Sequence, residues 1–371
     1  MLRLRRAVTT RICGCLLILQ EKNIQLIYDV QYSKPLVFTS SELKRKFKGK
    51  SVLITGGLGF VGSNLAARLT EYGSDVTILT KSTEKSKNVR EISFPLNIVV
   101  GNLTNKAAVR KLVKDKDYIF HLAAQTSRIA SMKSPLVDVA SNVKGTMTLL
   151  EACRDETSHA AIASVGSVTQ VGKTDKKVVD EHRFPQPLTI YDADKLTCER
   201  YFNIYHEAHG LHTVFLRLST LYGERQQITS TQTGAVNFFI GRALQGKSIE
   251  IFGTPSYLRD FLYVENVVDA LLFSTSSKNT KGEVYQICSG KSIPFIEMIE
   301  QITLEVKSQT GQKTSLLYRN WPEDWKMVDP GDFVGTFKKF NRATGWLPKI
   351  GFKEGIRRTV SFYKENLKEY A

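Results

Sequence analysis

Cysteine is scarce: five in 371 residues, at positions 13, 15, 153, 198 and 288, with no regular spacing and no CxxC pair. That excludes a disulfide framework and points to a reducing compartment, read here as cytoplasmic. No apolar run approaches the roughly 18 residues of a membrane-spanning helix, so no integral membrane segment is expected. Zinc-finger spacings and RNP-like strands are missing, and no set of metal ligands stands out. Acid is the scarcer charge: 36 Asp and Glu stand against 52 Lys and Arg, a formal net charge of +16. Such a balance suits nucleic acid or a polyanionic small substrate. Without a nucleic-acid motif, the small polyanion is the expectation.

The excess charge is uneven. Residues 1–50 carry 11 Lys and Arg against 3 Asp and Glu, which makes +8, and the other 321 residues share the remaining +8. Arg3, Arg5, Arg6 and Arg11 flank the short apolar stretch Ile12–Leu19, and no acid precedes Glu21. This leaves open either a targeting segment or an ordered extension of the main body. Residues 1–49 are read as a basic extension, with Lys44–Lys50 as a solvated run. Beyond it, a hydrophobic content of 42% allows a sizeable core, and the length suggests two lobes.

The rest is organised around residues 51–80, SVLITGGLGFVGSNLAARLTEYGSDVTILT. An apolar run at Val52–Thr55, a glycine cluster, a helical pattern and a second β-prone run at Val76–Leu79 make a β-α-β unit with a glycine-rich first turn. Gly56, Gly59, Phe60, Val61 and Gly62 are the expected pyrophosphate cradle, with helix N-terminal amides facing the phosphates. The second run ends in Thr80-Lys81 instead of an acid. A carboxylate there favours NAD, whereas Thr80 and Lys81 leave room and charge for the 2′-phosphate of NADP; both cofactors stay open. Asn102 and Leu103 follow the strand at Ile98–Val100. Asn102 either meets an adenine edge or caps the helix near Asn105. Ala123 and Ala124 follow the strand Tyr118–Leu122 and let a flat group come close. His121, in that strand, reads as a packed, hydrogen-bonded histidine.

Further on, the strand around Ala160–Ala163 brings Ser167 and Thr169 to the carboxyl edge of a sheet. Tyr191 and Lys195 open a long amphipathic helix and share one face, being four residues apart. A tyrosine hydroxyl has a pKa near 10 and is a poor base alone. An adjacent ammonium stabilises the phenolate. Ser167 can hold a substrate oxygen, so the trio suits reversible alcohol–ketone interconversion.

The segments TGGLGFVG (55–62), HLAAQ (121–125), SVGSVTQVG (164–172), YDADK (191–195), LRLSTLYGERQ (216–226) and RDFLYVENVVDA (259–270) resemble the extended short-chain dehydrogenase/reductase family, in its NAD-dependent epimerase/dehydratase branch. The resemblance spans roughly residues 50–365. It implies an α/β fold: a Rossmann-type doubly wound parallel sheet, predominantly residues 50–220, with a smaller mixed α/β substrate domain, predominantly 221–371, some of whose segments return to the first. It implies Ser167, Tyr191 and Lys195 as catalytic, with Tyr191 and Lys195 also touching the cofactor. Arg259 is implied as a contact to a substrate pyrophosphate, with an ion pair to Asp260 as the plain alternative. Thr169, Thr220 and Arg225 are further substrate candidates. Dehydratases of the family carry Asp-Glu after the catalytic residue; here Val168 and Thr169 stand there, so 4,6-dehydration is not expected. The resemblance therefore implies a nucleotide-diphosphate-sugar epimerase and a homodimer. An NADP-dependent keto-sugar reductase and a non-enzymatic dinucleotide sensor or scaffold are the alternatives.

Overall fold

The computed structural model describes residues 9–12, 15–20, 23–24, 38–175, 177–231, 234–253, 255–320 and 331–371. Arg3, Arg5, Arg6, Trp321, Trp325, Asp329 and Pro330 lie outside the described residues. Two units divide the chain, residues 1–36 and 37–371. In the first, strands β1 (Thr9–Ile12), β2 (Cys15–Gln20) and β3 (Asn23–Ile24) pair antiparallel in chain order.

The second unit begins with helix α1 (Ser40–Phe47), closed by a capping box in which Thr39 Oγ1 accepts from Glu42 N–H and Glu42 accepts from Thr39 N–H. Lys44, Arg45 and Lys48 are exposed, as a solvated run requires. Leu43 and Phe47, four residues apart, are nevertheless buried, and the Phe47 ring lies 4.6 Å from that of Tyr118. The cationic neighbours hide this i,i+4 apolar pair in the sequence.

Next come β4 (Ser51–Thr55), α2 (Phe60–Glu71), β5 (Asp75–Thr80), β6 (Asn97–Val100), α3 (Lys106–Val113), β7 (Tyr118–His121), α4 (Arg128–Lys133), α5 (Pro135–Val139), α6 (Gly145–Glu156), β8 (Ala161–Ser167), β9 (Val178–Val179), α7 (Ile190–His209) and β10 (His212–Leu218). The remainder is β11 (Thr220–Tyr222), α8 (Ala235–Leu244), β12 (Ile249–Phe252), β13 (Leu258–Tyr263), α9 (Val264–Ser276), β14 (Glu283–Ile287), β15 (Ser292–Pro294), α10 (Phe295–Thr310), β16 (Leu316–Arg319), β17 (Val334–Gly335), α11 (Lys338–Thr344) and α12 (Phe352–Tyr370).

Seven strands form one parallel sheet in the order β14-β10-β8-β7-β4-β5-β6. Both faces are covered, which is why β4 reads as an unbroken apolar run. Val52 and Ile54 enter one core with Tyr118, Phe120, Val214 and Leu216; Leu53 enters the opposite core with Ile119, Ile162 and Phe215. Chain order reverses beside β4, so a crevice opens at its carboxyl end, next to that of β7. A further core, from α8, α10 and α12 with β12 and β13, supports the short sheets β11-β13-β15 and β12-β16. The segment α9–β14 returns to the central sheet. Trp346 is packed in the core, its Nε1–H donating to Asn266 O at 3.2 Å.

Candidate active site

The cradle forms where β4 ends. Gly56 takes φ +72°, and a Cβ there would stand 2.7 Å from Ala123 N. A Cβ on Gly62 would stand 2.4 Å from Gly56 O and 2.8 Å from Gly57 Cα. Helix, turn and the residue after β7 are therefore in backbone contact. Gly59 is the N-cap of α2, and the first turn holds no acid. The amides of Phe60, Val61 and Gly62 have no partner within the helix, and they carry its positive dipole end. These residues fit the pyrophosphate of a dinucleotide. Thr55 Oγ1 accepts from Ala123 N–H at 3.2 Å and donates to His121 Nδ1 at 2.8 Å. His121 Nε2–H then donates to Thr146 Oγ1 at 2.9 Å, and Thr146 donates to Asn142 O. Burial, and the charge of Lys195, push the imidazole down to about 3, so His121 is a neutral structural residue, as its sequence setting suggests.

At the far end of the crevice, Thr80 Oγ1 donates to Ser82 O at 2.9 Å and Lys81 Nζ reaches Ser141 Oγ at 3.0 Å. Asn102 Oδ1 accepts from Thr104 N–H, while Asn105 caps α3 through Ala108 N–H. The capping role therefore belongs to Asn105. Leu103 is buried against Gly145, and Ala123 and Ala124 line the turn after β7.

Ser167 ends β8 and caps a short 3₁₀ turn, Val168–Val171. Its N–H donates to Gln170 Oε1 at 2.8 Å; Gln170 donates to Glu199, and Glu199 is paired with Arg217 through two contacts of 2.7 Å, fully inside the protein. Lys195 Nζ donates to Val165 O at 2.9 Å, on the strand that ends in Ser167. Tyr191 N–H donates to Ser131 Oγ at 3.0 Å. Thr169 Oγ1 lies 2.9 Å from Ser167 Oγ and 2.5 Å from Asp192 Oδ1. One hydroxyl has one proton, and the carboxylate is the stronger acceptor. Asp192 is buried and ion-paired with Arg128 at 2.8 Å. These bonds bring the Ser167 turn and the Tyr191–Lys195 face together at the carboxyl edge of the sheet. Burial, with the charges of Asp192 and Asp138, raises Tyr191, and burial lowers Lys195. The cation that opposes the rise at Tyr191 is the Arg128 guanidinium.

The NAD dependent epimerase/dehydratase family matches residues 52–288. The chain belongs to this family. A Methanocaldococcus jannaschii protein provisionally assigned as a UDP-glucose 4-epimerase is 32% identical over 319 residues, covering 85% of this chain and 99% of its own length. The structure of the epimerase Mth375 from Methanothermobacter thermautotrophicus superposes with a TM-score of 0.82 at 26% identity, over 89% of this chain and 97% of that one. The Thermus thermophilus UDP-glucose 4-epimerase, solved with NAD, gives 0.75 at 27% identity, over 85% and 99%. The chain is an NAD-utilising enzyme of the nucleotide-sugar epimerase/dehydratase kind.

The substrate side of this epimerase/dehydratase is less uniform. Arg259 stacks on Tyr257 at 4.4 Å, and its Nη1 donates to Leu258 O and to Gly331 O. Asp260 turns to Ser289 and Gly290, accepting from Ser289 N–H and Oγ at 2.8 Å and from Gly290 N–H at 2.9 Å. Thr220 opens the short strand β11. Arg225 adopts φ +67° and is turned onto α2, donating to Asn64 Oδ1 at 3.1 Å. Sequence reasoning missed a latch behind the trio: Gln125 Nε2 and Asn142 Nδ2 both donate to Asp138. It also missed Asn88, which donates to Leu58 O inside the glycine turn and accepts from Tyr370 O–H at 2.7 Å. Asn88 and Tyr370 are 282 residues apart, so no local pattern connects them.

Proposed function

We propose that the chain epimerises a nucleotide-diphosphate sugar by transient oxidation of a ring hydroxyl to a ketone and return of the same hydride. The observation that carries this reading is the environment of the two residues after Ser167. Val168 is buried, and Thr169 donates to the ion-paired Asp192. Neither provides an acid to protonate a leaving hydroxyl, so the Ser167 turn is equipped for oxidation and reduction without elimination. Tyr191 takes the hydroxyl proton, Ser167 holds the oxygen, and Lys195 keeps the phenolate form accessible and holds the nicotinamide ribose. The nicotinamide, when bound, accepts and returns the hydride. Arg259 is the contact for the diphosphate, and Thr169 and Thr220 line the approach. Residues 50–220 then carry the cofactor and 221–371 most of the substrate. Incubation with candidate nucleotide sugars and no added cofactor should yield the epimer without net change in reduced-nicotinamide absorbance. Strict dependence on added NADPH would overturn this in favour of a keto-sugar reductase.

The family and the Thermus structure support NAD, and Thr80-Lys81 supports a second reading with NADP. Mass analysis of the dinucleotide released by denaturation should find NAD; a species one phosphate heavier would reverse the assignment.

We also infer a homodimer through α6 and α7. Leu136 is 82% exposed and Ile204 53%, and Met132, Val137 and Val139 are exposed apolar neighbours of Leu136 in sequence. A groove of about 310 Å³ runs beside them from Val139 on α5 past Val143 to Met147 on α6 and Tyr201 on α7, with Lys106, Lys144, Thr148 and Glu151 at its polar side. Such an apolar surface suits a second copy of the chain. Replacing both Leu136 and Ile204 by Glu should convert a dimer to a monomer by light scattering; an unchanged mass would place any interface elsewhere. Cys153, Cys198 and Cys288 are buried free thiols, in keeping with a cytoplasmic setting. Among the described residues no helix is long and apolar enough to cross a membrane.

A further inference from the structure

The glycine turn is held from outside as well as from within. Gly59 N–H donates to Gly56 O at 2.9 Å, and on the same peptide unit Leu58 O accepts from Asn88 Nδ2 at 2.9 Å. A peptide unit is planar, so bonds at its two opposite edges fix its orientation. This unit leads into the N-cap of α2: Gly59 O accepts the first helical bond, from Ser63 N–H at 2.9 Å. The direction in which the Phe60 and Val61 amides point therefore follows the Leu58–Gly59 plane.

Asn88 comes from the 3₁₀ turn Ser86–Val89 and is 5% exposed. With its amide given to Leu58, its Oδ1 accepts from Tyr370 O–H at 2.7 Å. Tyr370 ends α12, which is kinked at Asn366 with φ −110° and ψ 16°. Beyond the kink, Lys87 Nζ lies 4.2 Å from the centroid of the Tyr370 ring and donates to Glu369 O, and Arg90 pairs with Glu369 at 3.4 Å. The Arg90 pair is exposed and contributes little; the Tyr370–Asn88 bond is buried. On its other side the Tyr370 ring packs on Tyr363 at 5.3 Å, and Tyr363 O–H donates to Gln226 O and accepts from Asn237 Nδ2 at 3.1 Å. α12 thus fastens the support of the cradle to the segment Gly223–Gln226.

We propose that Asn88 and Tyr370 are positioning residues for the dinucleotide. The Tyr370 hydroxyl orients the Asn88 side-chain amide, and that amide fixes the peptide plane that aims the α2 amides at the pyrophosphate. Without the hydroxyl, Asn88 Oδ1 is a buried acceptor with no donor, which is costly. Turning the side chain relieves that cost but withdraws the amide from Leu58 O, so loss of one distant hydroxyl frees the turn. The inference rests on the glycine turn as the pyrophosphate site. It does not rest on epimerisation, since a reductase would hold its dinucleotide in the same way.

Tyr370→Phe removes the hydroxyl and keeps the ring against Tyr363. It should speed the exchange of bound dinucleotide for added etheno-NAD, followed by fluorescence, by about fivefold, and Asn88→Ala by more than about tenfold, the range of a buried hydrogen bond. Because Tyr370 acts through Asn88, the double variant should exchange no faster than Asn88→Ala alone. Arg90→Ala, which loosens the same end of α12 without touching Asn88, should exchange as the wild type does. A role in folding alone predicts lower thermal midpoints with exchange unchanged. Wild-type exchange in Tyr370→Phe therefore overturns the inference. So do effects that multiply in the double variant, or an Arg90→Ala protein that exchanges as fast as Tyr370→Phe. Gly62→Ala separates the two ways of failing. If it speeds exchange and Tyr370→Phe does not, the turn holds the pyrophosphate and the role of Tyr370 is refuted; if neither does, the turn is not the site and the inference falls with it.

Discussion

Tyr191→Phe should reduce turnover of the sugar by about a thousandfold while leaving the dinucleotide bound. Losing a positioned general base removes 10²- to 10⁴-fold, and the midpoint corresponds to roughly 4 kcal/mol of barrier. The substitution removes one hydroxyl and no carbon from a buried ring, so packing on α7 is retained. The backbone bond from residue 191 to Ser131 Oγ also survives. The thermal midpoint and dinucleotide content should thus stay near wild type, and the loss should appear in kcat more than in KM. Retention of turnover within tenfold would remove Tyr191 as the base. A parallel fall in thermal midpoint would show that the hydroxyl acts on folding instead.

The candidate site was legible where one short segment carries it. Gly56 and Gly62 are readable because a tight turn between two apolar runs has few other uses, and the structure brings their backbones into contact. Tyr191 and Lys195 are readable because helix periodicity alone places them on one face. His121 was legible as structural, lying within a strand whose neighbours are all apolar. What stayed hidden depends on contacts between distant segments. Asp138 looks like an ordinary acid at a helix start, and Asp194 like a solvated helix residue, until α5 and α7 pack together. Asn88 and Tyr370 gain their connection to the glycine turn only once α12 has folded back. Arg225 matched a motif, yet its left-handed backbone aims it at α2, a direction no residue pattern encodes.

Gly62→Ala should abolish dinucleotide retention through purification. The added methyl would meet Gly56 O at 2.4 Å and Gly57 Cα at 2.8 Å, and both are backbone atoms that no rotamer change can move. Either α2 withdraws from the turn or the turn opens towards Ala123, where Gly56 is already in close contact. Each response displaces the Phe60 and Val61 amides relative to the crevice. Phosphate binding at a helix N-terminus depends on those amides converging, so a shift of a few tenths of an ångström loses several hydrogen bonds together. Overpacking costs about 1–3 kcal/mol, and alanine recovers about 1 kcal/mol of helix propensity over glycine. The net fall in stability is therefore small beside the loss of affinity, expected to exceed a hundredfold. Ser63→Ala, one position along the same helix, adds no atom and should retain the dinucleotide. Ultraviolet absorbance of the purified proteins and titration with the free dinucleotide measure both effects. Stoichiometric dinucleotide in Gly62→Ala would mean that the pyrophosphate is not held by this turn.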